Sequence, residues 1–210
     1  MSGNKASGRL LKWFFAIAGV MFVINMFYAV HLLQKPPGSE ASKGAKLAEF
    51  TLTDQNGKPF SPSQLKGKVW VAGFIYTICP GPCPLVTRNM AVAQQLLSGT
   101  GVEFVTITVD PDYDTPVVLK EYAKKFGVDE SRWHFLTGPR LQVYKVIQEG
   151  FFLVVAPADA STLSETGPVV HSTRIAILDR KGFIREYVDG TQPDSPGKVK
   201  AAVAKYLAEK

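Results

Sequence analysis

The chain has 210 residues, of which 46% are hydrophobic, 11% aromatic and 20% charged, and its formal net charge is +6. This composition excludes a disordered chain and allows one compact domain with an additional segment. Half of the net charge lies before residue 33, in Lys5, Arg9 and Lys12, and the remaining 21 basic residues face 18 acidic ones, which argues against nucleic-acid binding.

The first predicted element is a membrane-spanning helix over residues 13–33. These 21 residues include no charged side chain, and as a helix they would extend roughly 31 Å, enough to cross the hydrocarbon core. The apolar run is longer than that of a cleaved signal peptide, and no small-residue cleavage site follows it, so we interpret it as an uncleaved anchor. The basic residues before it place residues 1–12 in the cytoplasm and the C-terminal part outside.

A linker and a domain are predicted after the anchor. Residues 34–47 are rich in proline, glycine, serine and lysine, which is typical of a linker. The domain is predicted over residues 48–210. It begins with a β-hairpin over 49–60, whose turn is expected at Asn56-Gly57.

Strands and helices alternate along the rest of the domain. This order predicts an α/β fold of the thioredoxin-like type, a mixed sheet with helices on both faces. Ser195 is expected to cap the last helix, and a loop is predicted over 157–168. In chain order the elements are a central strand over 68–77, a helix from near Pro84, a strand over 102–110, a helix over 115–127, a strand over 133–138, a helix over 141–150, a hairpin over 173–188 with its turn at 180–182, and a helix behind Ser195.

Cys79 and Cys83 are the only cysteines of the chain, and they lie between the central strand and the next helix. The positive end of the helix dipole is expected to lower the pKa of their thiols and to favour the thiolates that disulfide exchange and metal binding require. Three interpretations remain open, namely a structural disulfide, a redox-active pair and a pair of metal ligands. A bridge over three residues would constrain the unfolded chain little, and redox pairs usually have two residues between the cysteines.

A histidine is the third candidate ligand. His171 precedes the strand of the last hairpin, and in a thioredoxin-like fold the loop before that strand packs beside the cysteine loop. Two thiolates and one imidazole suit Cu(I), whereas a structural zinc ion needs a fourth protein ligand. We interpret His134 as a structural residue and Met90 as a core residue rather than a thioether ligand.

Several motifs in order resemble the Sco/SenC family, the membrane-anchored copper proteins that serve cytochrome c oxidase assembly. The motifs are FIYTICPGPCP, DPDYDTPVVLKEYAKKFG, WHFLTG, and His171-Ser172 followed by Asp179 and Gly182. The resemblance covers roughly residues 48–207 and the anchor. It implies that Cys79, Cys83 and His171 bind copper, as Cu(I) or Cu(II), and that Asp110 is an acidic residue near the site.

The resemblance implies a copper metallochaperone for the binuclear copper site of cytochrome c oxidase. Its partner would be the copper-site subunit of the oxidase, with another copper chaperone or a thiol reductant as further partners. The expected location is the bacterial cytoplasmic membrane, crossed once, with the domain in the periplasm or outside. The alternative is an enzyme, a thiol-disulfide oxidoreductase that uses Cys79 and Cys83 as a redox pair to reduce the subunit's cysteines. Only the metallochaperone needs His171.

Overall fold

The computed structural model describes part of the chain, and the chain divides into two compact units, Met1–Pro36 and Pro37–Lys210. In the first unit, residues 18–22 and 24–26 are helical. No helix within the described residues is long and apolar enough to cross a membrane. The described residues are 18–22, 24–26, 43–157 and 169–209, and of residues 157 and 169–171 the backbone alone is described.

Three of the predicted segments therefore lie wholly or mostly outside the described residues. They are the anchor over 13–33, the linker over 34–47 as far as residue 42, and the loop over 157–168 except for residue 157.

Nine strands and four α-helices form the described part of the second unit. The strands are β1 (Leu52–Asp54), β2 (Pro59–Phe60), β3 (Trp70–Ile75), β4 (Glu103–Thr108), β5 (Trp133–Thr137), β6 (Val155–Pro157), β7 (Val169–His171), β8 (Arg174–Leu178) and β9 (Ile184–Asp189). The helices are α1 (Cys83–Leu96), α2 (Pro116–Lys125), α3 (Arg140–Lys145) and α4 (Ser195–Ala208), with a 3-10 turn at Pro62–Leu65 and a π-helical turn at Val146–Gly150.

Seven strands form one mixed sheet in the order β2-β1-β5-β4-β3-β8-β9. The central strands β3, β4 and β5 are parallel, and the strands at both edges are antiparallel to their neighbours. All six residues of β3 and of β4 are buried, as the continuous apolar run of the central strand predicted. Helix α1 packs against β3 and α4, and α2 packs against β5. This arrangement confirms the predicted α/β mixed sheet flanked by helices.

The first hairpin forms as predicted. Strands β1 and β2 pair with Leu52 opposite Phe60. In the turn, the Asp54 carboxylate accepts hydrogen bonds from the amides of Asn56 (2.9 Å) and Lys58 (2.8 Å). Gly57 has a φ of +75°, a left-handed conformation that glycine adopts without steric cost.

The start of the last helix differs from the prediction. Ser195 is the first residue of α4 and Asp194 precedes it as the N-cap, so the prediction of Ser195 as the cap is wrong. The Ser195 hydroxyl is buried and donates to the carbonyl oxygens of Asp189 and Gln192. It therefore fastens the loop before the helix, instead of satisfying the first amides of the helix.

The packed part of the second unit begins before residue 48. The amide of Gly44 donates to the Ile184 carbonyl (2.7 Å) and the amide of Leu47 to the Gly182 carbonyl (2.9 Å). Lys46 forms an isolated bridge with Phe183. The first described residues of this unit thus lie along the turn between β8 and β9.

Candidate metal centre

The two cysteines lie where β3 has ended and α1 begins. Cys83 is the first residue of α1, and Pro82 is the N-cap. The amide of Cys79 donates to the Tyr76 carbonyl at 3.3 Å, which closes a turn after the strand. Cys79 is 8% exposed and Cys83 is fully buried, so the pair is largely shielded from water.

Prolines explain why the helix begins at this point. Pro82 has a φ of −78° and a ψ of −17°, and its carbonyl accepts the amides of Leu85 and Val86, both at 3.0 Å. Pro84 lies in the first turn, where its missing N–H has no helical partner to lose. The helix therefore begins one residue before Pro84, close to the predicted start.

The acidity of Cys83 differs from the expectation. A hydrogen bond with Cys79 and burial raise the pKa of the Cys83 thiol well above its ordinary value, although a backbone hydrogen bond at Tyr76 lowers it. The prediction that the helix terminus favours the thiolate is therefore wrong for Cys83. A metal ion that binds this sulfur must displace a proton.

Tyr76 lies beside the cysteine pair and is fully buried. Burial raises the pKa of its hydroxyl most, followed by a hydrogen bond with Cys79 and by the charges of Cys79, Cys83 and Asp110. The Asp110 carboxylate, predicted near the site, is therefore within electrostatic reach of the hydroxyl that contacts Cys79. Its role toward a metal stays a prediction.

A second carboxylate holds the cysteine loop in place. Asp114 is fully buried, and its carboxylate accepts hydrogen bonds from the amide (3.1 Å) and hydroxyl (2.5 Å) of Thr77 and from the hydroxyl of Thr108 (2.5 Å). Burial raises the pKa of Asp114, while the hydrogen bonds from Thr108 and Thr77 lower it. Because Thr77 begins the cysteine loop and Thr108 ends β4, Asp114 joins the two.

The sequence patterns do not point to Tyr76 or Asp114. Both belong to motifs considered above, since Tyr76 lies in FIYTICPGPCP and Asp114 in DPDYDTP. The available signal was the third aspartate of this motif, directly before Thr115, which is the N-cap of α2. That signal indicates a helix start and does not indicate that the carboxylate turns inward.

His171 is the last residue of β7 and lies opposite Val155 of β6. Strands β6 and β7 form a two-stranded sheet of their own, which the sequence did not predict. The structure describes the backbone of His171 alone, and contact of its side chain with the cysteines stays a prediction. Among the described side chains, which do not include His171, no group of three or more His, Cys, Asp or Glu residues could hold a metal ion.

Two other residues have structural positions. The ring of His134 lies 4.8 Å from that of Phe60, and its Nε2 is 3.8 Å from the Glu103 carboxylate. Met90 is buried, and a Cβ atom added to Gly73 would lie 2.4 Å from its sulfur. Both arrangements agree with the interpretation of His134 as structural and of Met90 as a core residue.

Comparisons with known proteins give a consistent result. The family model described as SCO1/SenC matches residues 38–208. The SCO1 protein homolog of Bacillus subtilis is 38% identical over 146 residues, which cover 68% of this chain and 73% of the relative.

Two solved structures are similar to this chain. One is BsSco, described as a Sco-family cytochrome c oxidase assembly protein with a disulfide switch (26% identity, TM-score 0.69, covering 80% of this chain and 96% of that one). The other is Bradyrhizobium japonicum ScoI with copper bound (27% identity, TM-score 0.64, covering 77% and 99%). These similarities confirm the predicted thioredoxin-like fold.

Proposed function

Because the chain belongs to the SCO1/SenC family, we propose that it is a copper metallochaperone that serves the binuclear copper site of cytochrome c oxidase. One observation carries the proposal: two cysteines lie side by side in a shielded position at the start of α1. It is supported by the copper bound in a 27% identical relative and by the description of a 26% identical relative as an oxidase assembly protein.

Copper is the cargo, and the proposed ligands are Cys79, Cys83 and His171. Two thiolates and one imidazole form a soft donor set that Cu(I) prefers. The shielded position of the sulfurs fits this ion, since it limits access of water and oxidants. The carboxylate of Asp110 supplies a negative charge near the site that favours a cation. Copper leaves by ligand exchange, in which cysteines of the oxidase subunit replace the ligands one at a time.

The proposed location follows from the sequence. Residues 13–33 anchor the chain in the bacterial cytoplasmic membrane, and the domain lies in the periplasm or outside, where it meets the copper-site subunit. A second copper chaperone or a thiol reductant would supply copper or electrons to the cysteines.

Copper stoichiometry tests the proposal. The reduced protein, prepared without air, is expected to bind one Cu(I), and Cys79→Ser or Cys83→Ser is expected to abolish binding, because one thiolate and one imidazole make a poor site for Cu(I). His171→Ala is expected to weaken binding, and His134→Gln is the matched control, since His134 is the other histidine of the domain. Full binding of Cu(I) by either serine variant would overturn the proposed ligand pair.

A thiol-disulfide oxidoreductase is the second candidate. The adjacent thiols and the disulfide switch described for BsSco favour it. Exchange between thiols and disulfides depends on thiol acidity and access, so this function does not need His171. Normal oxidase activity together with unchanged copper retention in His171→Ala would favour the oxidoreductase, whereas loss of both would favour the metallochaperone.

A further inference from the structure

The second unit carries a groove of about 480 Å³ beside the turn between β8 and β9. We call it the basic groove, because four basic side chains and one acidic side chain line it. Its apolar lining includes Leu47, Trp70 and Phe183. The basic side chains are Lys46, Lys66, Arg180 and Lys181, and the acidic one is Glu49.

The basic groove lies at the end of the sheet opposite to the cysteines. The amide of Gly67, just before β3, donates to the Arg180 carbonyl at 3.0 Å. The cysteines follow the other end of β3, which has six residues. At about 3.3 Å per residue, the two sites are separated by roughly 20 Å along the strand.

The cations of the groove are not equivalent. The guanidinium of Arg180 donates to the carbonyl oxygens of Tyr206, Leu207 and Glu209, so it closes the C-terminal end of α4. The exposed lysines differ from it, since within the described residues their side chains form no ion pair or hydrogen bond. These lysines are Lys46, Lys66 and Lys181.

Acidic groups next to the groove do not neutralise these lysines. The Asp179 carboxylate contacts Arg185 at 3.1 Å, and Arg185 also pairs with Glu209 at 3.1 Å. Only Glu49 opposes the three lysines within the lining. The groove therefore offers an excess of positive charge to a ligand with negative charges.

The chain itself indicates where such a ligand is found. The described part of this unit begins at Lys43, and Lys46, which bridges Phe183, lines the basic groove. The predicted anchor ends at residue 33. The ten Cα–Cα steps from residue 33 to Lys43 can span at most about 36 Å. This length keeps the groove within reach of the surface of a membrane that holds the predicted anchor.

From this charge and this tether, we propose that the basic groove binds anionic phospholipid headgroups of the membrane that holds the anchor. Each lysine near an anionic membrane favours the bound state roughly fivefold, and three lysines together favour it more than a hundredfold. Docking at this end of the sheet turns the cysteine end away from the membrane, toward a partner outside it.

Hydrogen exchange of the full chain in lipid nanodiscs, one chain in each disc, tests this docking. The discs contain either phosphatidylcholine alone or an equal mixture with phosphatidylglycerol. Segments 43–50 and 178–184 are expected to exchange more slowly in the anionic discs, and 1 M salt is expected to remove the difference, because the Debye length falls to about 3 Å. Replacement of all three lysines by glutamine is expected to reduce the headgroup-bound state more than a hundredfold.

The matched control carries the same change of charge at Lys145, Lys198 and Lys200, which are exposed and do not line the groove, and is expected to exchange like the unmodified chain. Equal exchange in both kinds of disc, equal loss in the control, or failure of the chain to enter the discs would overturn the proposal. Slower exchange that appears only when a second copy of the chain or another protein is added would also overturn the proposal. No copper is used, so failure here leaves the proposed copper site untouched.

Discussion

Asp114→Ala is expected to destabilise the domain and its metal centre. Three donors, the amide and hydroxyl of the half-buried Thr77 and the hydroxyl of the buried Thr108, lose their acceptor. A buried donor without an acceptor costs about 1–3 kcal/mol. Removal of the carboxylate also removes the cost of burying it, which is the cost that raises its pKa. We therefore count the lowest value, about 1 kcal/mol, for each of the three donors. We expect the free energy of unfolding to fall by about 3 kcal/mol, which corresponds to a decrease in Tm of roughly 6–12 °C.

Urea denaturation of a fragment that starts at residue 35, monitored by tryptophan fluorescence, measures this loss. Asp112→Ala is the matched control, because its side chain lies in the same loop, is 60% exposed and forms a surface ion pair with Arg140. Exposed pairs contribute at most about 1 kcal/mol. Equal losses in the two variants would refute the structural role of Asp114, and so would additive losses in Asp114→Ala and Thr77→Val, since contacting residues should couple.

The pH dependence of Asp114→Asn gives a second test. The pKa of Asp114 is raised in the folded state above its ordinary value of 3.8, so folding favours the protonated form. The unmodified domain therefore loses stability relative to the asparagine variant as pH rises above 3.8, until the folded-state pKa has been passed. A difference that is constant with pH would contradict the raised pKa.

Three further predictions concern stability. Burial lowers the pKa of His134 in the folded state, so the domain should lose stability as pH falls through about 6.5, and His134→Gln should reduce this loss in unfolding experiments between pH 7.5 and 5. Gly73→Ala should lower the free energy of unfolding by about 1–3 kcal/mol, because the new methyl group would overlap Met90. The smaller side chain of Met90→Val should recover part of this loss in the double variant, and the absence of any recovery would contradict this cause. The fragment from residue 35 should be soluble and folded, since the buried core lies within residues 47–206, and its insertion into membranes that contain no anionic lipid would contradict the predicted linker.

The central strand shows which structural features the local sequence predicts and which it does not. Its apolar run predicted a strand over 68–77, and the structure has β3 at Trp70–Ile75. The strand is shorter at its end because the amide of Thr77 donates to the Asp114 carboxylate instead of a neighbouring strand. Hydrophobic pattern thus predicted the buried strand, whereas its last residues depend on a carboxylate 37 positions away.

The unpredicted features depend on distant contacts in the same way. Strands β6 and β7 pair Val155 with His171 across a long stretch of chain, and neither strand alternates clearly in sequence. The segment before β6 contains Phe152, which has a φ of +53° although it is not glycine. Steric rules disfavour that conformation for a bulky residue, so the local sequence does not predict it.

The proposed ligands lie on different structural elements, and this suggests the order in which they release copper. The cysteine loop is tied through Thr77 and Asp114 to Thr108 at the end of β4, so the two proposed sulfur ligands lie on a loop that the protein itself holds in place. His171 belongs to a sheet that no described strand pairing joins to the main sheet. A ligand on a separate element can depart without disturbing the cysteine loop. We therefore expect His171 to leave first during transfer, while the two sulfurs keep the ion until the cysteines of the acceptor replace them.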